Sequence, residues 1–170
     1  MTGRVALSGT PGTGKTTVAD LLAEETPVVH LNEVVETEGL HTGRDPDRGS
    51  LVADLDAVEA WLDGRDAAVV ESHLAHLLPA ERVAVLRCHP TELEARLRDR
   101  GESEATVAEN AESEALDVVL SEAVERHGRG AVHEIDTTGR DPDAVADDVR
   151  AVLAGDRDPS AGTVDFTDYL

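Results

Sequence analysis

The chain has 170 residues, one cysteine and a formal net charge of −21, because 36 acidic residues outnumber 15 basic ones. This length suits one domain whose core needs no disulfide bond, and so acidic a surface disfavours nucleic-acid binding through a basic face. The sequence has no apolar run of the roughly 20 residues that span a bilayer and no signal-peptide pattern at its start. It therefore predicts a cytoplasmic protein that enters no membrane.

The acidic residues lie in segments that also carry regular apolar positions, so we interpret them as the surface of a folded domain rather than a disordered tail. At about 1 M salt the Debye length falls to roughly 3 Å, which would screen the repulsion between these charges. The composition therefore indicates an enzyme of a halophile, adapted to a high-salt cytoplasm.

The first third of the chain predicts strands and helices in alternation. Residues 4–8 predict a short buried strand, a glycine-rich turn follows, and residues 16–25 carry the apolar spacing of a helix. Residues 27–31 predict a second strand, and Asn32 begins a short acidic helix. Residues 39–50 are polar and rich in glycine and aspartate, so we expect an exposed, mobile segment there.

The same alternation continues to the end of the domain. Further helices are predicted over residues 51–62, 92–100, 107–127 and 142–153, and further strands over residues 67–70, 82–86 and 131–135. This order predicts an α/β fold in three layers, with a five-stranded parallel sheet flanked by helices. We assign residues 1–154 to this domain and residues 155–170 to a C-terminal tail.

Residues 9–16 read GTPGTGKT and match the P-loop pattern, with a predicted strand before them and a helix after them. A glycine-rich turn that binds nothing is disfavoured because pattern and context agree. The predicted nucleotide contacts are Gly12, Thr13, Gly14, Lys15, Thr16 and Thr17. Lys15, the only lysine in the chain, would bridge the β- and γ-phosphates of ATP, Thr16 would bind Mg²⁺, and Thr17 would reach the α-phosphate.

P-loop proteins include switches, motors and kinases, so the motif alone does not name the reaction. The guanine-specific Asn-Lys-x-Asp signature is absent, and the only lysine is already in the P-loop. Motor ATPases are normally longer than this chain. The remaining class is a compact kinase that transfers a phosphoryl group to a small acceptor.

Three segments together resemble the ribosome-associated adenylate kinases, the family of adenylate kinase isoenzyme 6 and its archaeal relatives. They are the P-loop, Glu71-Ser-His73 with Leu-Pro behind it, and RLRDRG at 96–101 leading to NAESE at 110–114. The resemblance covers residues 1–154. It implies a P-loop NTPase fold, nucleoside monophosphate kinase activity with side ATPase activity, a short lid at about 99–109 without zinc, and a part in small ribosomal subunit maturation.

Arg96 and Arg100 lie four residues apart on a predicted helix, so both side chains face one way, and Gly101 then gives a hinge. We predict that they stabilise the transferred phosphoryl group, with Arg100 also binding the nucleotide. The alternative is a solvated helix face on which the arginines pair with neighbouring carboxylates.

Glu71 ends a buried strand that we expect beside the P-loop, so its carboxylate would hold Mg²⁺ through water. His73 would face the same cleft as a catalytic residue, or it is a loop histidine without a role. A zinc site built on His73 and His76 is disfavoured because no cysteine or third ligand lies near them in sequence.

By resemblance, the acceptor monophosphate binds at about residues 32–53. Family members often have an arginine on the first helix of this segment, where this chain has Glu36, so Arg44 and Arg48 would have to replace it. Residues 136–139 resemble the loop that lies against adenine in adenylate kinases, although a plain turn explains them nearly as well.

Three functions remain open from sequence. The first is a metabolic nucleoside monophosphate kinase, and the second is an assembly ATPase that acts on a small-subunit ribosomal protein. The third is a kinase for a small metabolite, but the sequence lacks the basic cluster expected in the acceptor site of such an enzyme. In the tail, Phe166, Tyr169 and Leu170 should dock on a surface, with the chain's own domain favoured over a partner.

Overall fold

The computed structural model describes residues 3–47 and 49–170. The strands are β1 (Val5–Ser8), β2 (Val28–His30), β3 (His41–Arg44), β4 (Leu51–Ala53), β5 (Val69–Glu71), β6 (Arg82–Arg87) and β7 (Val132–Asp136). The helices are α1 (Lys15–Leu22), α2 (Leu31–Thr37), α3 (Leu55–Leu62), α4 (Pro90–Asp99), α5 (Glu104–Ala115), α6 (Val118–His127) and α7 (Pro142–Ala154). Within this described part, no helix is long and apolar enough to cross a bilayer.

Five strands form the predicted parallel sheet, in the order β2-β5-β1-β6-β7. The central strand β1 pairs with β5 and β6, and Ala6 lies opposite Val70 and Val83. All four residues of β1 are buried, as expected for a parallel strand that is covered on both faces. Helices α1 and α7 cover one face, and α2, α3 and α6 cover the other, which confirms the three-layer α/β fold.

The segment predicted to be exposed and mobile, residues 39–50, contains β3, which pairs antiparallel with β4 in a hairpin. Three of the four β3 residues are exposed, as predicted, but the strand was not predicted. Leu40, Leu51 and Ala53 pack against the main core and attach the hairpin to it. The helix predicted from residue 51 begins only at Leu55. Asp54 caps it, since its carboxylate accepts a hydrogen bond from the Ala57 N–H at 3.2 Å.

The single helix predicted over residues 107–127 is wrong, because the chain breaks between α5 and α6. Asp117 adopts a left-handed conformation with φ of 57°, which is uncommon for a residue other than glycine. Its carboxylate accepts a hydrogen bond from Arg87 Nη2 at 2.6 Å, and this ion pair holds the break in place.

The C-terminal tail docks on the chain's own domain, as predicted. Phe166 is 5% exposed, packs edge-on against His89 and lies under the guanidinium of Arg87. The N–H groups of Gly162 and Thr163 donate hydrogen bonds to the carboxylate of Glu134, which itself accepts one from Arg87. Docking is incomplete at the last residue, since Leu170 is 66% exposed.

Deleting residues 163–170 should lower the melting temperature by about 5 to 10 °C without any partner present, because Phe166 and the hydrogen bond from Thr163 are lost. Phe166→Ala should reproduce most of this loss, whereas Leu170→Ala should change the melting temperature by less than about 1 °C. Differential scanning calorimetry in molar KCl measures all three. Equal melting of the deletion variant and the wild type would refute docking on the domain.

Candidate active site

The turn between β1 and α1 has the geometry of an anion-binding loop. Gly12 and Gly14 adopt φ values of 95° and 98°, and a Cβ atom on Gly12 would lie only 2.8 Å from Leu93. No protein acceptor is found within the described residues for the N–H groups of Gly12, Gly14, Lys15 and Thr16. The positive end of α1 therefore presents free donors, which is the arrangement that binds phosphate.

A cavity of about 740 Å³ opens above this loop. It is bounded by the P-loop, the end of β5, helix α4 and the segment after β7. Every residue that the sequence nominated for nucleotide, metal or transfer lines this cavity: Gly12, Thr13, Gly14, Lys15, Thr16, Thr17, Glu71, His73, Arg96 and Arg100.

Lys15 is only 7% exposed. Its Nζ donates a hydrogen bond to the carbonyl of Thr10 at 3.1 Å. Burial lowers the pKa of Lys15 to about 8, although the negative charge of Glu71 acts in the opposite direction. A phosphate group that entered the cavity would therefore meet a poorly solvated cation, for which it would be a strong partner.

Glu71 lies on β5 directly beside β1, as expected, and its Oε1 is 3.5 Å from Thr16 Oγ1. A hydroxyl and a carboxylate oxygen are ligands that Mg²⁺ prefers, so this pair fits the metal. His30 was not predicted from the sequence, and its Nδ1 is 2.8 Å from Glu71 Oε1 while its Nε2 is 3.0 Å from Asp20 Oδ1. Burial alone would lower the pKa of His30, but the hydrogen bond with Glu71 raises it above its usual range.

The two histidines after β5 have separate environments. Burial, with help from the charges of Lys15 and His76, lowers the pKa of His73 to about 4, so this imidazole is neutral near pH 7. His76 is 1% exposed, and its ring nitrogens lie 2.7 Å from Ser8 Oγ and 2.8 Å from Glu122 Oε1. His76 therefore supports the strand before the P-loop, whereas His73 faces the cavity.

Two arginines reach the cavity from the end of α4, Arg96 within the helix and Arg100 directly after its last residue, and they differ in their contacts. Arg96 forms an ion pair with Glu92 and donates hydrogen bonds to the carbonyls of Gly12 and Thr13 at 3.4 Å. Arg96 is thus partly paired on its helix face, as the alternative interpretation held, but it also binds the P-loop. Among the described residues, the side chain of Arg100 has no hydrogen-bond or ion-pair partner and remains open to the cavity.

Comparisons with known proteins identify relatives of the whole chain. Residues 5–117 match the AAA domain family. Proteins named "Putative adenylate kinase" are 61% identical in Natronomonas pharaonis and 59% identical in Halobacterium salinarum, and each match covers 98% of this chain and 99% of the relative. A protein of the same name in Methanothermobacter thermautotrophicus is 47% identical over 98% of both chains.

The chain belongs to this archaeal adenylate kinase family. A solved structure of an uncharacterized protein from Eubacterium ventriosum is 15% identical, with a TM-score of 0.57 over 88% of this chain and 97% of that one. At this identity the likeness shows the fold alone.

A second cavity of about 280 Å³ lies next to the P-loop cavity and is lined by α2, the hairpin and the segment after β5. Asn32 and His73 line both cavities, so the two are neighbours. Glu36 and Arg44 also line the smaller cavity, although Arg44 donates a hydrogen bond to the Gly49 carbonyl. The other predicted cation, Arg48, lies outside the described residues.

The loop after β7 contributes Thr137 to the P-loop cavity, and Thr137 lies within the segment 136–139 that resembles the adenine loop. Thr137 donates a hydrogen bond to the Arg87 carbonyl and accepts one from Arg96, so it joins the sheet to α4. Arg140 also lines the cavity and was not anticipated, because no motif marks it in the sequence.

Proposed function

We propose that this chain is a nucleoside monophosphate kinase of the adenylate kinase type, which transfers the γ-phosphoryl group of ATP to AMP or another nucleoside monophosphate. One observation carries the proposal: the P-loop cavity and a second, smaller cavity adjoin at Asn32 and His73. An ATPase needs one nucleotide cavity and a water molecule. A transferase needs a second cavity beside the first, where an acceptor can be held in line with the donor.

The residues of the first cavity would supply positioning and charge. The free N–H groups of the P-loop and Lys15 would bind the β- and γ-phosphates, and Arg100 would approach the transferred group from α4. Thr16 and Glu71 would hold Mg²⁺, which when bound neutralises phosphate charge.

His73 would act at the boundary of the two cavities as a neutral hydrogen-bonding group. Its lowered pKa makes it a poor cation, and an acceptor phosphate that is already ionised needs no strong base. We therefore assign His73 the role of orienting the acceptor rather than removing a proton from it.

An assembly ATPase with incidental kinase activity is the second candidate. This candidate is favoured by the charge of the second cavity. Arg44 is the only cationic side chain among its described lining residues and Glu36 adds a negative charge, so the cavity offers little attraction to an anionic monophosphate. The role in small ribosomal subunit maturation that the resemblance implies would fit here, since the acidic surface would attract a basic ribosomal protein.

One assay separates the two. The protein is incubated in molar KCl with ATP and Mg²⁺, and each nucleoside monophosphate is added in turn while nucleotides are counted by chromatography. The kinase predicts one ADP and one acceptor diphosphate for each ATP consumed, with little ATP cleavage when no acceptor is present. If the rate of ATP cleavage is the same without a monophosphate as with each of them, the kinase assignment is wrong and the ATPase assignment replaces it.

Arg100→Ala should lower kcat by about 10³-fold or more and change the KM for ATP much less, because a contact with the transferred group strengthens in the transition state. Arg98→Ala is the matched control, since Arg98 lies on the same helix but pairs with Glu94 and Glu104 outside the cavity. Steady-state kinetics measures both variants. An unchanged kcat in Arg100→Ala would make Arg100 an ordinary surface residue.

A further inference from the structure

Glu114 is a buried carboxylate on α5 that lines neither cavity and is only 2% exposed. Its Oε1 accepts a hydrogen bond from Thr10 Oγ1 at 2.7 Å. Its Oε2 accepts hydrogen bonds from Arg87 Nε and from the Cys88 N–H, both at 2.9 Å. Burying a carboxylate is costly unless donors surround it. Here three donors do so, and one of them belongs to the P-loop.

Thr10 connects this carboxylate to the phosphate-binding lysine. The Thr10 side chain is tied to Glu114, while its carbonyl accepts hydrogen bonds from Lys15 Nζ at 3.1 Å and from Thr13 Oγ1 at 2.8 Å. Thr10 itself is 1% exposed, so these contacts lie beneath the loop. A displacement of Thr10 would therefore move the acceptor on which Lys15 rests.

The P-loop needs such an anchor because its glycines leave it many conformations. Fixing the backbone of a residue in one conformation costs conformational entropy, and Gly9 and Gly12 both adopt positive φ values. Rate enhancement by charged groups depends on their being in position before the reaction. A fixed contact on the side of the loop away from the cavity holds the loop in position before the reaction and does not occupy the phosphate site.

We propose that Glu114 is a positioning residue for phosphoryl transfer: through its hydrogen bond to Thr10 it holds the P-loop in the conformation that directs Lys15 to the transferred phosphate. The inference rests on the proposed function, because it assumes that Lys15 meets that phosphate. Arg87 keeps Glu114 in place and is itself shared with Glu134 and Asp117.

Thr10→Val tests the contact, since valine has nearly the shape of threonine but no hydroxyl to donate. We expect kcat to fall about 10- to 100-fold, as small misplacements of catalytic groups do elsewhere. Thr10→Ser, which keeps the hydroxyl, should stay within about twofold of the wild type. A purely structural role would lower the melting temperature of Thr10→Val and leave kcat unchanged, and that result would overturn the proposal.

A double-mutant cycle then tests whether Glu114 acts through Thr10. We compare the fold-loss of kcat that Thr10→Val causes in two backgrounds. This loss should be at least about fivefold smaller in Glu114→Gln than in the wild type, because the contact is already altered there. Asp117→Asn is the control, since it removes the negative charge of another partner of Arg87 and does not touch the P-loop. Independent, multiplying losses from Thr10→Val and Glu114→Gln, or a kcat loss in Asp117→Asn equal to that in Glu114→Gln, would refute the proposal.

Calorimetric titration with MgATP keeps this test separate from the kinase assignment. If no monophosphate is phosphorylated by the wild type, the proposed function fails, yet the affinity for MgATP still reports on Lys15. Thr10→Val should then weaken MgATP binding by about tenfold while Thr10→Ser does not. If no monophosphate is phosphorylated, equal affinities in the wild type, Thr10→Val and Thr10→Ser would refute the role of Glu114.

Discussion

Lys15→Met should lower the rate of phosphoryl transfer by about 10³-fold or more and should not lower the melting temperature. The rate falls because the only cation within the P-loop is lost where phosphate charge develops. Stability is kept because burial lowers the pKa of Lys15 from 10.5 to about 8, so the protonated lysine opposes folding at neutral pH. Turnover and calorimetry at pH 7 measure the two effects.

The pH dependence of stability provides the control. The folded chain releases the Lys15 proton near pH 8, whereas the unfolded chain keeps it up to about 10.5, so loss of this proton favours folding as pH rises between these values. Denaturant melts of the wild type should show this gain relative to Lys15→Met, which has no group to titrate. Activity that survived the substitution would show that phosphate binds elsewhere.

Removal of salt should lower the melting temperature by at least about 10 °C between molar KCl and dilute buffer. The cause is the net charge of −21, whose self-repulsion is poorly screened at low ionic strength. The buried ion pairs of Arg87 with Glu114 and Glu134 are 0–2% exposed and should respond little to salt. The effect therefore belongs to the surface, and thermal melts across a KCl series measure it.

A neutralised variant tests the cause of the salt effect. Glu24, Asp66 and Glu125 are exposed and have no ion-pair partner among the described residues. Changing them together to Gln, Asn and Gln removes three negative charges and should reduce the salt dependence of the melting temperature. Sucrose, which does not screen charge, should not replace KCl in protecting the wild type at low ionic strength. A melting temperature independent of salt would refute the high-salt interpretation.

The P-loop and the place of Glu71 could be predicted because local patterns specify them. The loop is a continuous run of eight residues between a strand and a helix, so its pattern can be recognised without knowledge of the tertiary structure. Glu71 follows from the alternation of elements, since a parallel sheet gathers the carboxyl ends of its strands at one edge. Arg96 and Arg100 follow from the helical repeat.

Contacts between distant segments could not be predicted in this way. His30 and Glu71 are 41 residues apart, and Thr10 and Glu114 are 104 apart, so only the finished topology brings them together. The break at Asp117 has the same origin, because its ion pair with Arg87 overrides the helical preference of the surrounding sequence. The hairpin strands were not predicted for the same reason, because they are attached to the core through the tertiary contacts of Leu40 and Leu51.

Because Lys15 is the only lysine of the chain, amine-reactive reagents can be used to label it selectively. Acylating reagents need the unprotonated amine, and a pKa of about 8 leaves about half of Lys15 in that form at pH 8. No other lysine competes for the reagent, so beyond an N-terminal amine the label would report on Lys15 alone. Because Lys15 lines the cavity, bound nucleotide should shield it. Mass spectrometry of the native chain can thus read nucleotide occupancy without any engineered probe.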